Sequence, residues 1–140
     1  MTKQEHIDYW LKTAEHDWDV AQHLFEAGKY DWCLFIAHLV IEKTLKAFWV
    51  RDSKKRVPRI HNLLEIAQAT HLNLSEEQKK LLEEITTFNI LGRYPDVKLN
   101  FYRRCTQEFT TIWFEKTKRL YLWLLSQMTS GKMSPNSSVN

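Results

Sequence analysis

Residues Trp32–Val50 read WCLFIAHLVIEKTLKAFWV, a run that is apolar around nearly the whole circumference of a helix except where His38, Glu42 and Lys46 recur every four residues. A helix apolar on most faces must be buried on most sides, so this segment predicts the central rod of a helical bundle. The three ionisable groups stack along one line, with Glu42 preceding Lys46 in the favourable order for an i, i+4 ion pair. Burying such groups requires partners, a cleft or another subunit, so the rod carries a polar seam inside an otherwise oily core. That seam reads either as a satisfied internal network or as the wall of a groove in which Lys46 meets a phosphate and Glu42 holds it in place.

Working outward from the rod, Gly28 separates it from an earlier helix expected over about Gln4–Ala27, with Trp10, Ala14, Asp17, Ala21, Leu24 and Phe25 on one face. The short connection implies an antiparallel hairpin, with the second helix running from Tyr30 or Asp31 to about Arg51–Lys54. A basic connector, RDSKKRVPR at 51–59, leads into a short helix with Leu63, Leu64, Ile66 and Ala67 turned inward and Pro58 suited to its first turn. Ser75 and Gln78 stand at capping-box spacing and open a helix to about Ile90, ended by Gly92 and Pro95. After a loop GRYPDVKLN, a last long helix from Phe101 or Arg104 to Met128 presents Phe109, Ile112, Trp113, Lys116, Leu120 and Leu124. The expected fold is therefore all-α, an up-and-down bundle of four or five helices over residues 1–128, followed by a disordered tail at 129–140.

Composition supports that reading: 44% hydrophobic and 13% aromatic residues in 140 supply the core of a single domain. The aromatic surplus serves either a filled monomer core or a subunit interface. Cys33 and Cys105 lie far apart and outside any CxxC spacing, which argues against a disulfide scaffold or a thiolate metal site and for reduced thiols. No secretory core and no uninterrupted apolar stretch of membrane-spanning length is present, so a cytoplasmic protein without a membrane partner is expected. The six histidines offer no HExxH pair, no P-loop exists, and neither a metal nor another cofactor is expected. A net charge of +3 is too small to imply nucleic acid by itself. The location of the charge is more telling: five of nine residues from Arg51 to Arg59 are basic, and Arg93, Arg103 and Arg104 add to it later. These side chains either complement helix C-termini or contact phosphates without sequence preference.

Four stretches together resemble the HEPN domain, a helical domain of higher eukaryotes and prokaryotes found beside minimal nucleotidyltransferases. WLKTAEHDWDVA at 10–21 is similar to the opening helix of that family, with Asp17. WCLFIAHLVIEKTLKA at 32–47 is similar to its second-helix signature, and IHNLL at 60–64 and RYPD at 93–96 resemble its later helix start and loop. His38 and Leu39 occupy positions where the family commonly has paired glutamines, which places a group able to titrate near neutral pH in the seam.

The resemblance implies a two-fold homodimer with a positively charged cleft for nucleotide or RNA phosphates, acting with a nucleotidyltransferase-like partner in a toxin–antitoxin-like setting. Lys46, Arg56, His61 and Arg93 are then the candidate ligand contacts, with Asp17, His38 and Glu42 supporting them. Many relatives are metal-independent endoribonucleases that use an arginine and a histidine with four to six residues between them, and Arg56 and His61 match that motif with four. In that alternative His61 is the acid or base at the ribose 2′-hydroxyl and Arg56 stabilises the phosphate charge. Val57 stands where active relatives usually carry a polar residue, and His61 reads equally as a helix cap or a bond across the bundle. A purely structural protein–protein interaction module is the third possibility.

Overall fold

The computed structural model describes residues 1–91 and 93–132, and within them six helices and no strand. Helix α1 spans Lys3–Glu26 and opens with a capping box, in which the Thr2 hydroxyl accepts from the Glu5 amide and Glu5 accepts from the Thr2 amide. It closes on Gly28, whose φ of +74° is the left-handed conformation that favours glycine. The Gly28 amide donates to the Phe25 carbonyl and the Lys29 amide to that of Leu24, which satisfies the last turn and reverses the chain. Helix α2, Tyr30–Asp52, then packs antiparallel along α1 as expected from the hairpin spacing.

Helix α2 is the central rod. Leu34, Ile41, Leu45 and Phe48 are fully buried, and the helix is covered by α1, by α3 (Leu63–Gln68) and by the long C-terminal helix α6 (Gln107–Lys132). Each such side chain removed from water contributes roughly 1.5–3 kcal/mol, which is why the rod has no solvent face along most of its length. On α1, Ala14 and Ala21 are fully buried, and their small side chains let the two backbones approach. Aromatic rings close the α1–α6 side: Trp18 stacks on Phe114 at 4.7 Å between ring centroids, and Phe25 stacks on the same ring at 5.2 Å.

The second half departs from the sequence reading at four places. Pro58 does not enter the first turn of α3, which starts at Leu63 with the Asn62 side chain accepting from the Glu65 amide. Helix α4, Glu76–Thr86, keeps its predicted Ser75–Gln78 capping box but stops at Thr86, not at Ile90. The Thr86 and Thr87 hydroxyls donate back to the carbonyls of Leu82 and Glu84, and Phe88 turns into the core against Phe101, Phe109 and Trp113. The supposed loop after Gly92 holds helix α5, Pro95–Arg104, because Pro95 occupies the first helical position, where its missing N–H costs nothing. Asp96 in the first turn and Arg103 and Arg104 in the last complement its dipole.

Phe101 and Arg104 consequently belong to α5, and α6 begins only at Gln107. Its buried face is Thr110, Thr117, Leu120, Tyr121, Leu124 and Met128; Ile112 and Lys116, members of the three-to-four spaced stripe, are exposed, with the Lys116 ammonium 4.6 Å from the centroid of the Trp113 ring. Helix α6 continues to Lys132, and the remainder of the expected tail, 133–140, lies outside the described residues. Cys33 and Cys105 are free and buried, and burial pushes both thiols up to about 12, so both stay protonated and unreactive. No described helix is long and apolar enough to cross a membrane.

Candidate functional site

The polar seam of α2 is a closed network centred on Glu42. One carboxylate oxygen of Glu42 accepts from the Lys46 ammonium at 3.0 Å, and the other accepts from His61 Nδ1 at 2.8 Å. His38 Nε2 lies 3.8 Å from that second oxygen and 3.4 Å from the His61 backbone carbonyl. Glu42 and Lys46 are buried, and Lys46 also sits 5.5 Å from the centroid of the Trp10 ring on α1. The i, i+4 spacing on α2 aligns the three seam residues, while His61, 19 positions from Glu42, arrives from another part of the chain.

The route by which His61 arrives shapes the site. Beyond Asp52 the backbone leaves the helix, and the Trp49 indole N–H donates to the Lys55 carbonyl at 3.0 Å. Nine residues past Asp52 the chain reaches Glu42 through His61, so residues 53–61 double back along about 15 Å of α2 at the 1.5 Å rise of an α-helix. Val57 and Ile60 pack on the core beneath this strap, whereas Lys54, Lys55, Arg56 and Arg59 are exposed. Among the described residues none of these four side chains has a hydrogen-bond or ion-pair partner. The Leu63 amide, just past the strap, donates to the Thr86 hydroxyl at 3.1 Å and ties its end to α4.

His61 closes the strap with its side chain 58% exposed. A carboxylate can only accept, so the hydrogen shared with Glu42 resides on Nδ1, and Nε2 has no hydrogen-bond partner among the described residues. His38 is the reverse case. Both groups near its Nε2 are acceptors, which places its proton there and leaves Nδ1 buried and unpartnered. Burial lowers the His38 pKa, and Glu42 only partly opposes the shift, so the expected titration near neutral pH does not survive folding.

That shift has a measurable sign. Unfolded His38 titrates near its ordinary 6.5 and the folded imidazole at lower pH, so its contribution is intact above 6.5 and is lost as pH falls from there through the folded value. The loss approaches about 1.4 kcal/mol for each pH unit inside that window. His38→Gln keeps an amide able to reach the His61 carbonyl and removes the titration. Denaturant unfolding at pH 7 and at pH 5.5 should therefore show a smaller acid-induced loss of stability in the variant than in the parent chain; equal losses would refute the assignment.

Of the remaining sequence candidates, the structure gathers some and separates others. Asp17 does not join the Glu42 network; its carboxylate pairs with Lys43 at 2.6 Å and clamps α1 to α2. Arg56 is exposed and, among the described residues, forms no hydrogen bond or ion pair with Glu42 or His61. Arg93 is exposed on the turn before α5, donates from Nε to the Asn89 carbonyl, and lines a separate pocket of about 340 Å³ with Thr87, Asn100 and Arg104. Sequence reading missed Trp10 under Lys46 and a second carboxylate–histidine tie, in which buried Asp52 accepts from the His71 amide at 2.9 Å and from Arg51. The signal for the latter is the repeated 19-residue offset, Glu42 to His61 and Asp52 to His71, left as the chain doubles back and then runs along α2 again.

No group of His, Cys, Asp and Glu among the described residues is arranged to hold a metal ion. Comparison with curated proteins and with solved structures gave no match. The family model described as HEPN domain matches residues 7–127, a span that takes in the α1–α2 hairpin, the strap, α3 to α5 and most of α6. HEPN domains are of nucleotide-binding or ribonuclease type. With the all-helical bundle in place and the match covering most of its length, the chain belongs to the HEPN domain family.

Proposed function

We propose that this protein binds nucleotide or RNA phosphates along the strap formed by residues 53–61. The observation that carries the reading is the placement of four exposed cations, unpaired among the described residues, on one non-helical segment that ends at His61, itself held by buried Glu42. Clustered cations on one short segment can meet neighbouring phosphates of a single strand, and contacts of this kind carry little sequence preference. The homodimer, the nucleotidyltransferase-like partner and the toxin–antitoxin-like setting rest on the family resemblance alone.

One observation favours cleavage as a second reading. Glu42 fixes the His61 tautomer so that Nε2 is free to take a proton from a ribose 2′-hydroxyl. The 2′-oxygen would then attack the adjacent phosphorus, with Arg56 stabilising the added charge, and the 5′-oxygen would leave with a proton returned by the imidazolium. Binding takes precedence because Arg56 does not meet the Glu42–His61 pair within the chain. Calorimetry at low salt with ATP, GTP and a short single-stranded RNA should give saturable heat that weakens in Arg56→Ala. Absence of any binding would overturn the proposal. RNA incubated with the protein in EDTA and recovered intact would dispose of the nuclease reading, whereas cleavage lost in His61→Ala would establish it.

A further inference from the structure

Helix α5 is anchored by little. Phe101 enters the core and Cys105 is buried at its cap, while every other residue from Arg93 to Arg104 is exposed. Several of these are large and apolar: with Leu91 just ahead, Tyr94 is 80%, Leu99 46% and Tyr102 62% exposed, and Val97 is also exposed. Leu99 and Tyr102 lie three apart on one side of the helix, and Tyr94, Lys98 and Tyr102 follow each other at four-residue steps. Val97 lies on the other flank of buried Phe101, so the exposed apolar surface on this side is the Leu99–Tyr102 pair with Tyr94 beside it, a patch costly to leave in water.

Charge identifies the occupant. Lys98 and Arg103 flank the Leu99–Tyr102 pair on the helix, and Arg93 and Arg104 add positive charge to the same segment against a single Asp96, with Arg104 paired to Glu84. A second copy laid on this face would set like charges against each other. Single-stranded RNA could stack on Tyr94 and Tyr102 but would leave Leu91, Val97 and Leu99 without a matching surface. An acidic amphipathic helix satisfies both features, since its apolar side covers Leu99 and Tyr102 and its carboxylates reach Lys98 and Arg103, which flank that pair on the helix. We propose that α5 and the turn leading into it form a docking surface for an acidic amphipathic helix of a partner protein.

The test is a displayed random-peptide library selected against the full chain and counter-selected against Leu99→Ser/Tyr102→Ser. Enriched peptides should carry Asp or Glu and apolar residues at helical spacing. A synthesised winner should lose affinity by roughly tenfold or more on the double variant and weaken with Lys98→Ala and with added salt. Lys98→Glu/Arg103→Glu, whose altered side chains are exposed, should instead select basic peptides, which keeps the proposal falsifiable if the serine variant folds poorly. Enrichment of neutral or basic peptides on the parent chain, no enrichment, or binding insensitive to the α5 changes would each overturn it. So would sedimentation in which Leu99→Ser/Tyr102→Ser alone dissociates a dimer, or a short RNA that displaces the bound peptide from α5. Loss of RNA binding at the strap would leave this result untouched, and the reverse holds as well.

Discussion

Glu42→Ala should destabilise the protein by about 3–5 kcal/mol, the cost of leaving a buried charge without its partner. The Lys46 side chain is 8% exposed and its ammonium is bonded to Glu42 at 3.0 Å, so deleting the carboxylate strands that charge in the core. His61 also loses the acceptor on Nδ1, but that side chain is largely in water and adds little. Against the 5–15 kcal/mol that holds a typical domain together, the loss is a large fraction, lowering the melting temperature by roughly 10–20 °C. Replacing both members, Glu42→Leu with Lys46→Met, should restore most of the stability, because an apolar pair of similar volume avoids desolvating two ions. Denaturant midpoints for the two single variants and the double variant complete the cycle. A loss below about 1 kcal/mol in Glu42→Ala would mean that Lys46 reaches water once released, and the seam would not be a closed network.

Neutralising the strap should have the largest effect on ligand binding. If Lys54, Lys55, Arg56 and Arg59 each meet one phosphate of a single-stranded RNA, the logarithm of affinity falls with that of salt with a slope of roughly −3. Raising monovalent salt from about 50 to about 200 mM then weakens binding roughly 50-fold. Substituting all four by alanine should flatten that slope to near zero, while single substitutions each remove about 0.7 of it. Thermal melting should barely change, since the four side chains are exposed and make no ion pair among the described residues. RNAs of different sequence should be affected alike, because phosphate contacts position a strand without reading it. An unchanged salt slope in the alanine variant would move the phosphate contacts off the strap, and the pocket lined by Arg93 and Arg104 would be the next place to look.

Much of this molecule was legible from periodicity. The burial of α2, the hairpin turned at Gly28, the capping box at Ser75 and the position of the polar seam all follow from spacing within one helix turn or two. What failed in the second half failed for identifiable reasons. Pro95 and the glycine before it signal a helix end, yet proline is equally fitted to a helix start, and the sequence around it does not say which role wins. Thr86 and Thr87 are compatible with helix, but Phe88 gains more by turning into an aromatic cluster than by extending the turn. For α6, the three-to-four spacing that includes Ile112 is shared by two overlapping stripes, and the packing of Thr110 and Thr117 against the bundle buries the other.

The candidate site divides along the same line. Glu42, His38 and Lys46 share a face because residues four apart on a helix always do, so their alignment was determined by the sequence alone, as were the helical class and the basic character of the connector. Only the tertiary structure decided that His61 meets Glu42, that Asp17 is taken by Lys43, and that Arg93 lies in a pocket apart from the strap. Those pairings join residues 19 or more positions apart, or keep apart groups the charge pattern had placed together. They depend on where Val57 and Ile60 find apolar surface as the chain returns along α2. Local spacing carries no record of that return path, because it is set by the burial of side chains from several helices at once.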